Sequence, residues 1–267
     1  MQIAHKTFVV TGAGSGIGRE LSLQLLRLGA NVAGVDIHPA ALAETQKIAG
    51  LGEDRFKGFE LDISDKEKVA QFPAEVLQHF GAVDGLINNA GIIQHFKRVN
   101  DLSDEEINRV FNVNFYGTLY LTRAFLPLFL EQPEAHIVNI SSMGGFLPVP
   151  GQTIYGAAKA AVKLFTEGLY AELKGTNVHV TVVFPGAIAT NISENSGLGK
   201  PKGDVTESKI KPLAAEKAAA IIIEGIEKNQ FRVLVGSDAK FLDFLYRLRP
   251  QYATDFIQKK MSALMKF

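Results

Sequence analysis

The residues whose types and spacing could do chemistry here are Tyr155 and Lys159, in the stretch Tyr155-Gly156-Ala157-Ala158-Lys159. On a helix, residues four apart stand one turn above each other on the same face. A tyrosine phenol ordinarily titrates near about 10. A fixed cation within a few ångströms favours the phenolate and lowers such a pKa by about 1–3 units. The pair would then be a general acid/base able to move a proton at an alcohol or carbonyl oxygen. An ordinary helix with one exposed tyrosine and one exposed lysine satisfies the same pattern, so the surrounding sequence has to discriminate.

Near the N-terminus, Thr7-Phe8-Val9-Val10-Thr11 is a short β-branched run of the kind buried on both faces of a sheet. It passes into Gly12-Ala13-Gly14-Ser15-Gly16-Ile17-Gly18, then a helical pattern through Leu21, Leu25 and Leu28 closed by Gly29. The usual GxGxxG spacing from Gly12 would need glycine at Ile17; Thr11, Gly12, Gly16 and Gly18 form T-G-x-x-x-G-x-G instead. The physical requirement is similar. The chain must turn sharply and approach a pyrophosphate closely, and a helix N-terminus offers free N–H groups. Gly12, Ser15, Gly16, Ile17 and Gly18 are therefore candidate dinucleotide contacts.

Asp36, at the end of a second strand-like run, would accept hydrogen bonds from an adenosine ribose and repel a 2′-phosphate, favouring NAD over NADP. No Arg or Lys stands at 13–17 or 37–38 to clamp such a phosphate. Asp36 could equally cap the helix that Pro39 opens. Asp62, with Ile63, ends a third strand; it is a candidate adenine contact or a plain turn residue.

Bulk composition narrows the class. At 267 residues with 46% hydrophobic and 21% charged positions, the chain reads as a globular protein with a sizeable core. Lys+Arg and Asp+Glu are both 28, so nothing points to nucleic acid. Cysteine is absent, which removes disulfides and thiolate chemistry. The six histidines are scattered singly, and no metal site is expected. Met1 runs almost directly into a strand, and no apolar run has membrane-spanning length, so the expectation is a soluble, cytoplasmic protein.

Strand and helix patterns alternate along the whole chain. Further strands are expected at 56–61, 83–87, 136–141, 178–184 and 231–235. Helices are expected to follow Ser64-Asp65, to run from a Ser103/Glu106 capping box to about Leu130, and to span 153–174, 214–228 and 238 onward. This predicts an α/β fold with a doubly wound parallel seven-stranded sheet, one domain over 1–267, with a C-terminal helical extension at 238–267. Residues 186–212, rich in Gly, Ser, Asn, Lys and Pro, read as a mobile substrate loop with room for a short helix. Ligands of such sheets bind beyond the carboxyl ends of the strands. The Gly-rich turn, Asp36, Asp62, Asn88, Ser142 and Pro185 all fall there.

Taken together, Thr11-Gly12-xxx-Gly16-x-Gly18, Asn88-Asn89-Ala90-Gly91, Asn114, Ser142, Tyr155-xxx-Lys159 and Pro185-Gly186 with Thr190 resemble the short-chain dehydrogenase/reductase family, in that family's order. The resemblance implies a Rossmann-type fold, a nicotinamide cofactor and hydride transfer at a carbonyl or alcohol carbon. It implies Tyr155 as general acid/base, Lys159 lowering its pKa and binding the nicotinamide ribose, and Ser142 bonding the substrate oxygen. Ser141 is the competing serine, which the thirteen-residue spacing to Tyr155 disfavours. Asn114 would hold a water that links Lys159 to solvent. Asn88, Asn89, Ala90 and Gly91 would line the ribose side, and Pro185, Gly186, Ile188 and Thr190 the carboxamide side. The alanines 157, 158, 160 and 161 suit close packing between subunits of a homotetramer or dimer.

The substrate side is expected among Ile93, His95, Phe96, Met143, Phe146, Leu147, Val149, Gln152 and Leu198. Their apolar character suggests a hydrophobic secondary alcohol or ketone. An NADPH-tolerant reductase of acyl thioesters or aldehydes, and a non-catalytic NAD sensor, are the competing readings; a sensor need not keep Asn114, Ser142, Tyr155 and Lys159 together. In the tail, Phe241, Phe244, Leu245 and Leu248 follow helical spacing, and residues 240–267 hold six Lys/Arg against two Asp. Such a helix either packs over the substrate loop or a neighbouring subunit, the favoured reading, or lies on a membrane surface.

Overall fold

The apolar runs become strands, and the central ones are buried on both faces. In the computed structural model, which describes residues 1–199 and 212–261, β1 (Thr7–Thr11) is buried at every position. It is flanked on one side by β2 (Asn31–Asp36) and β3 (Phe56–Glu60), and on the other by β4 (Gly85–Asn88), β5 (Ala135–Ile140), β6 (Val178–Pro185) and β9 (Arg232–Val235). The order is β3-β2-β1-β4-β5-β6-β9 and every pairing is parallel. A separate two-residue pairing joins β7 (Ile188–Ala189) to β8 (Leu213–Ala214).

Strand side chains alternate between faces, so each face needs its own cover. Phe8 and Val10 pack with Leu21 and Leu25 of α1 (Gly16–Arg27) and Ile222 of α8 (Ala215–Glu227). Val9 packs on the other face with α3 (Lys66–Phe80), α5 (Gly117–Glu131) and α6 (Thr153–Glu172), through Phe72, Phe125 and Leu169. The expected caps form: Asp65 accepts from Lys68 N at 3.1 Å, and Ser103 and Glu106 close both bonds of the capping box opening α4 (Asp104–Phe111). Pro39 stands at the start of α2 (Pro39–Ala49).

Two elements differ from expectation. The helix through Asn114 is not one regular run: a π-turn at Asn112–Tyr116 separates α4 from α5. The tail is two helices, α9 (Ser237–Leu248) and α10 (Pro250–Met261), broken where Pro250 keeps Arg249 out of helical backbone. Its buried face is Ala239, Leu242 and Asp243, not the Phe241, Phe244, Leu248 stripe, which is exposed. Leu242 and Ala253 pack with Leu147 against Met143 and Phe146, so the tail covers the segment after β5. No helix among the described residues is long and apolar enough to cross a membrane.

One buried side chain makes the sheet sensitive to acid. His136 on β5 is fully buried, and its Nε2 lies 2.7 Å from Thr181 Oγ1 on β6. Thr181 already donates to Gln230 O, so the imidazole is the donor. Burial first, then the neighbouring His179 and the N-terminal ammonium, hold its pKa down to about 3. The unfolded chain takes up this proton near 6.5 and the folded protein does not until about 3. Stability from His136 is thus present above pH 6.5 and is lost as pH falls through that window, by up to about 1.4 kcal/mol per pH unit. Urea midpoints between about pH 7 and 4 are expected to fall more steeply in the unsubstituted protein than in His136→Leu; equal slopes would contradict the assignment.

Candidate active site

Strand order reverses between β1 and β4, and a cleft of about 640 Å³ opens over the carboxyl ends there. The Gly-rich turn forms one wall. Gly12 and Gly16 have φ of +68° and +53°, a conformation that suits glycine. A Cβ on Gly18 would sit 2.1 Å from Gly12 O, so α1 leaves the turn in direct backbone contact with it. Ser15 makes no side-chain cap, leaving the first N–H groups of α1 free for an anion. Thr11 Oγ1 accepts from Asn89 N and Ala90 N, each at 2.9 Å, and Asn89 Nδ2 donates to Thr11 O at 2.9 Å. The β1 turn and the β4 end are thereby locked together.

Asp36 serves both of its readings. Its Oδ1 accepts from His38 N at 3.1 Å, as a turn residue would, while Oδ2 accepts from Gly14 N at 3.0 Å and the side chain lines the cleft. No Lys or Arg from 12–18 or 35–41 lines the cleft beside it. Asp62 Oδ1 accepts from Ser64 N and Ser64 Oγ, and Asp62 also faces the cleft. A turn of close-packed glycines beside a carboxylate at the second strand's end fits the adenosine half of a dinucleotide.

Ser142, Tyr155 and Lys159 line the opposite wall. Lys159 is 4% exposed, which removes the reading of an ordinary surface lysine. Its Nζ donates to Ile140 O at 2.9 Å, it has no carboxylate partner among the described residues, and burial lowers its pKa to about 8. The serines separate cleanly. Ser141 is buried and donates to Lys159 O at 2.7 Å, whereas Ser142 reaches the Tyr155 phenol and accepts from Gly144 N at 3.0 Å.

The expected direction of the Tyr155 pKa is reversed. Desolvation raises it above 10, the bond from Ser142 pulls the other way, and no charge effect of Lys159 contributes. Lys159 faces Gly91 instead: a Cβ there would lie 3.2 Å from Lys159 Nζ and 2.6 Å from Asn114 Oδ1. Asn114 itself stands behind the cleft wall in the π-turn. Its Oδ1 accepts from Ile92 N at 3.1 Å, and its Nδ2 donates to Ile92 O at 2.8 Å and Val110 O at 3.0 Å.

Gly12, Ser15, Gly16, Ile17, Asp36, Asp62, Ile63, Asn89, Ala90, Gly91, Pro185, Gly186, Ile188 and Thr190 all line the cleft. Gly18 lies behind it, and Asn88 is buried, donating to Asn139 Oδ1 at 2.8 Å to tie β4 to β5. On the substrate side Ile93 and Phe96 line the cleft; His95, Met143, Phe146, Leu147, Val149, Gln152 and Leu198 do not. His95 points to Glu106 Oε1 at 2.8 Å on the surface. Met143, Phe146 and Leu147 are taken up by the tail, and Gln152 is buried with its Nε2 donating to Gln94 O at 2.8 Å. Part of the 186–212 loop, 200–211, lies outside the described residues. The residues missed were Arg109, one turn before Val113 on the cleft wall, and Asn195 of α7 (Ile192–Asn195), whose Nδ2 donates to Ser15 Oγ at 2.7 Å. Neither had a local signal, because each is brought to the cleft by a separate element.

Comparison with known proteins matches this geometry. The sequence profile of the short chain dehydrogenase family matches residues 6–200. A Mycobacterium tuberculosis protein named for oxidoreductase activity, SadH, is 38% identical over 250 residues, covering 91% of this chain and 90% of its own. A Burkholderia phymatum short chain dehydrogenase/reductase solved in complex with NAD superposes with a TM-score of 0.82 at 28% identity, over 93% of this chain and 96% of its own. A Burkholderia cenocepacia short chain dehydrogenase in complex with NADP reaches 0.80 at 28% identity, over 96% and 99%. With the seven-stranded parallel sheet, the Gly-rich turn and the Ser142, Tyr155, Lys159 wall in place, the chain belongs to the short-chain dehydrogenase/reductase family of NAD(P)-dependent oxidoreductases.

Proposed function

We propose that the protein is an NAD-dependent dehydrogenase of hydrophobic secondary alcohols, which also runs the reverse ketone reduction. The observation that carries the reading is Lys159, a buried ammonium with no carboxylate partner among the described residues, one turn from a phenol that meets Ser142. The Gly12–Gly18 turn, Asp36, Asp62, Ile63, Asn89 to Gly91 and residues 186–190 would hold a nicotinamide dinucleotide, which would accept the hydride removed from the alcohol. Tyr155 as phenolate takes the hydroxyl proton, and Ser142 donates to the oxygen where charge develops. The position of Lys159 with Asn114 around Gly91 supports a relay that carries the proton outward. In reduction the same groups return the proton. Ile92, Ile93, Phe96, Ile188 and Ile192 on the cleft wall support an apolar substrate.

Leu164, 68% exposed on α6, and the small residues Ala157, Ala160 and Ala161 beside it support a subunit interface in a cytoplasmic homo-oligomer. Light scattering is expected to return a dimer or tetramer mass; a monomer at micromolar concentration would end that part of the reading.

Because oxidation needs the phenolate and burial raises the Tyr155 pKa, kcat for oxidation is expected to climb with pH from neutral into the alkaline range, and kcat for reduction to climb as pH falls. Tyr155→Phe is expected to abolish both, on the alcohols that a panel followed by NADH absorbance shows to be turned over, with NADH affinity kept within about threefold. Surviving turnover would sink the mechanism.

Cofactor choice is tested separately. NADH is expected to bind more tightly than NADPH, and Asp36→Ser to narrow the gap by roughly tenfold or more, about 1.4 kcal/mol of relieved repulsion. Tighter NADPH binding by the unsubstituted protein would overturn the assignment of Asp36.

A further inference from the structure

The three residues after Gly91 each hold a different part of the site. Ile92 bonds the Asn114 amide through both its N and its O. Ile93 N donates to Ser196 Oγ at 3.0 Å, directly after α7. Gln94 reaches the start of α6. It is 3% exposed; its Nε2 donates to Gly151 O at 3.0 Å, its Oε1 accepts from Tyr155 N at 2.9 Å, and its carbonyl accepts from Gln152 Nε2 at 2.8 Å.

Tyr155 is the third residue of α6, so its N–H has no acceptor within its own helix. A Ser, Thr, Asp or Asn at the N-cap ordinarily supplies one. The N-cap here is Gln152, which makes no such bond and turns its side chain to Gln94 instead. The acceptor for Tyr155 N therefore comes from a residue 61 positions away, on the segment that also holds Asn114. The site needs one buried group that donates to Gly151 and accepts from Tyr155, which a neutral carboxamide provides.

We infer that Gln94 is a positioning residue: its side-chain amide fixes the backbone of Tyr155, and with it the seat of the phenol against Ser142, relative to the 92–94 segment that bonds Asn114. The inference rests on the proposed reaction for its catalytic consequence, but not for its geometry.

A readout without substrate separates the two. The chain has six tyrosines and no tryptophan, so ¹³Cζ-tyrosine NMR gives six ring resonances, and the one lost in Tyr155→Phe is Tyr155. In Gln94→Leu the Tyr155 resonance is expected to move in the direction seen in Ser142→Ala, with the double variant moving it less than the sum of the two. A Tyr155 resonance unchanged in folded Gln94→Leu would overturn the inference. Should that variant fail to fold, Gln94→Glu takes its place. A neutral carboxylic acid can make both bonds and an ionised one only accepts, so the Tyr155 resonance is expected to match the unsubstituted protein near about pH 5 and depart from it by about pH 9. A superimposable titration would count against the idea. On an alcohol that is turned over, kcat of Gln94→Leu is expected to fall about 10–100-fold, the scale of an ångström-level misplacement, with KM for NAD within about threefold. An unsubstituted protein that turns over nothing would defeat the proposed function and leave the NMR result standing.

Discussion

The burial of the Lys159 ammonium is the constraint on which the rest of the site depends. A desolvated charge without a counter-ion is costly and is retained only where surrounding dipoles hold it. Here the Ile140 carbonyl at the end of β5 holds it at 2.9 Å, and the pKa still falls to about 8. Three other features follow from that placement. α6 must turn Lys159 inward, Ser141 must bind the Lys159 carbonyl to fix the helix against β5, and position 91 must be glycine to leave room for Lys159 and Asn114.

A parallel sheet gives these features a common address. Every strand ends on the same edge, so residues distant in sequence arrive together without any loop having to span the molecule. Thr11 on β1 ties to Asn89 and Ala90 after β4, while Asn88 and Asn139 tie β4 to β5. The bonds that lock neighbouring strand ends together at the site are therefore cross-strand bonds between loop roots.

The dinucleotide turn, the strand ends and the Tyr155–Lys159 pair were legible because each is a local pattern: glycine at a positive φ, a polar residue closing an apolar run, two side chains one helical turn apart. Spacing to Tyr155 favoured Ser142 over Ser141, and in the structure Ser141 Oγ donates to Lys159 O. The substrate side was not legible. His95 and Phe96 are neighbours in sequence, yet His95 turns to Glu106 while Phe96 lines the cleft. Met143, Phe146 and Leu147 were expected in the pocket and are covered by α9 and α10, because apolar residues after a strand are claimed by whichever element packs nearest. In the tail, helical spacing found a helix but only part of its packed face, since Leu245 packs beside Leu242, Ala253 and Leu147 while Phe241, Phe244 and Leu248 are exposed.

What the sequence by itself determined is the order of strands and helices, the Gly-rich turn after the first strand and the setting of Tyr155 and Lys159 one helical turn apart, because these rest on periodicity and short-range geometry. What tertiary structure decided is how those parts bear on one another. It buried Lys159, raised the phenol instead of lowering it, placed Asn114 in a π-turn behind Gly91, and brought Gln94 to the backbone of Tyr155. Desolvation and long-range hydrogen bonds depend on which surfaces meet after folding, and no window of neighbouring residues carries that information.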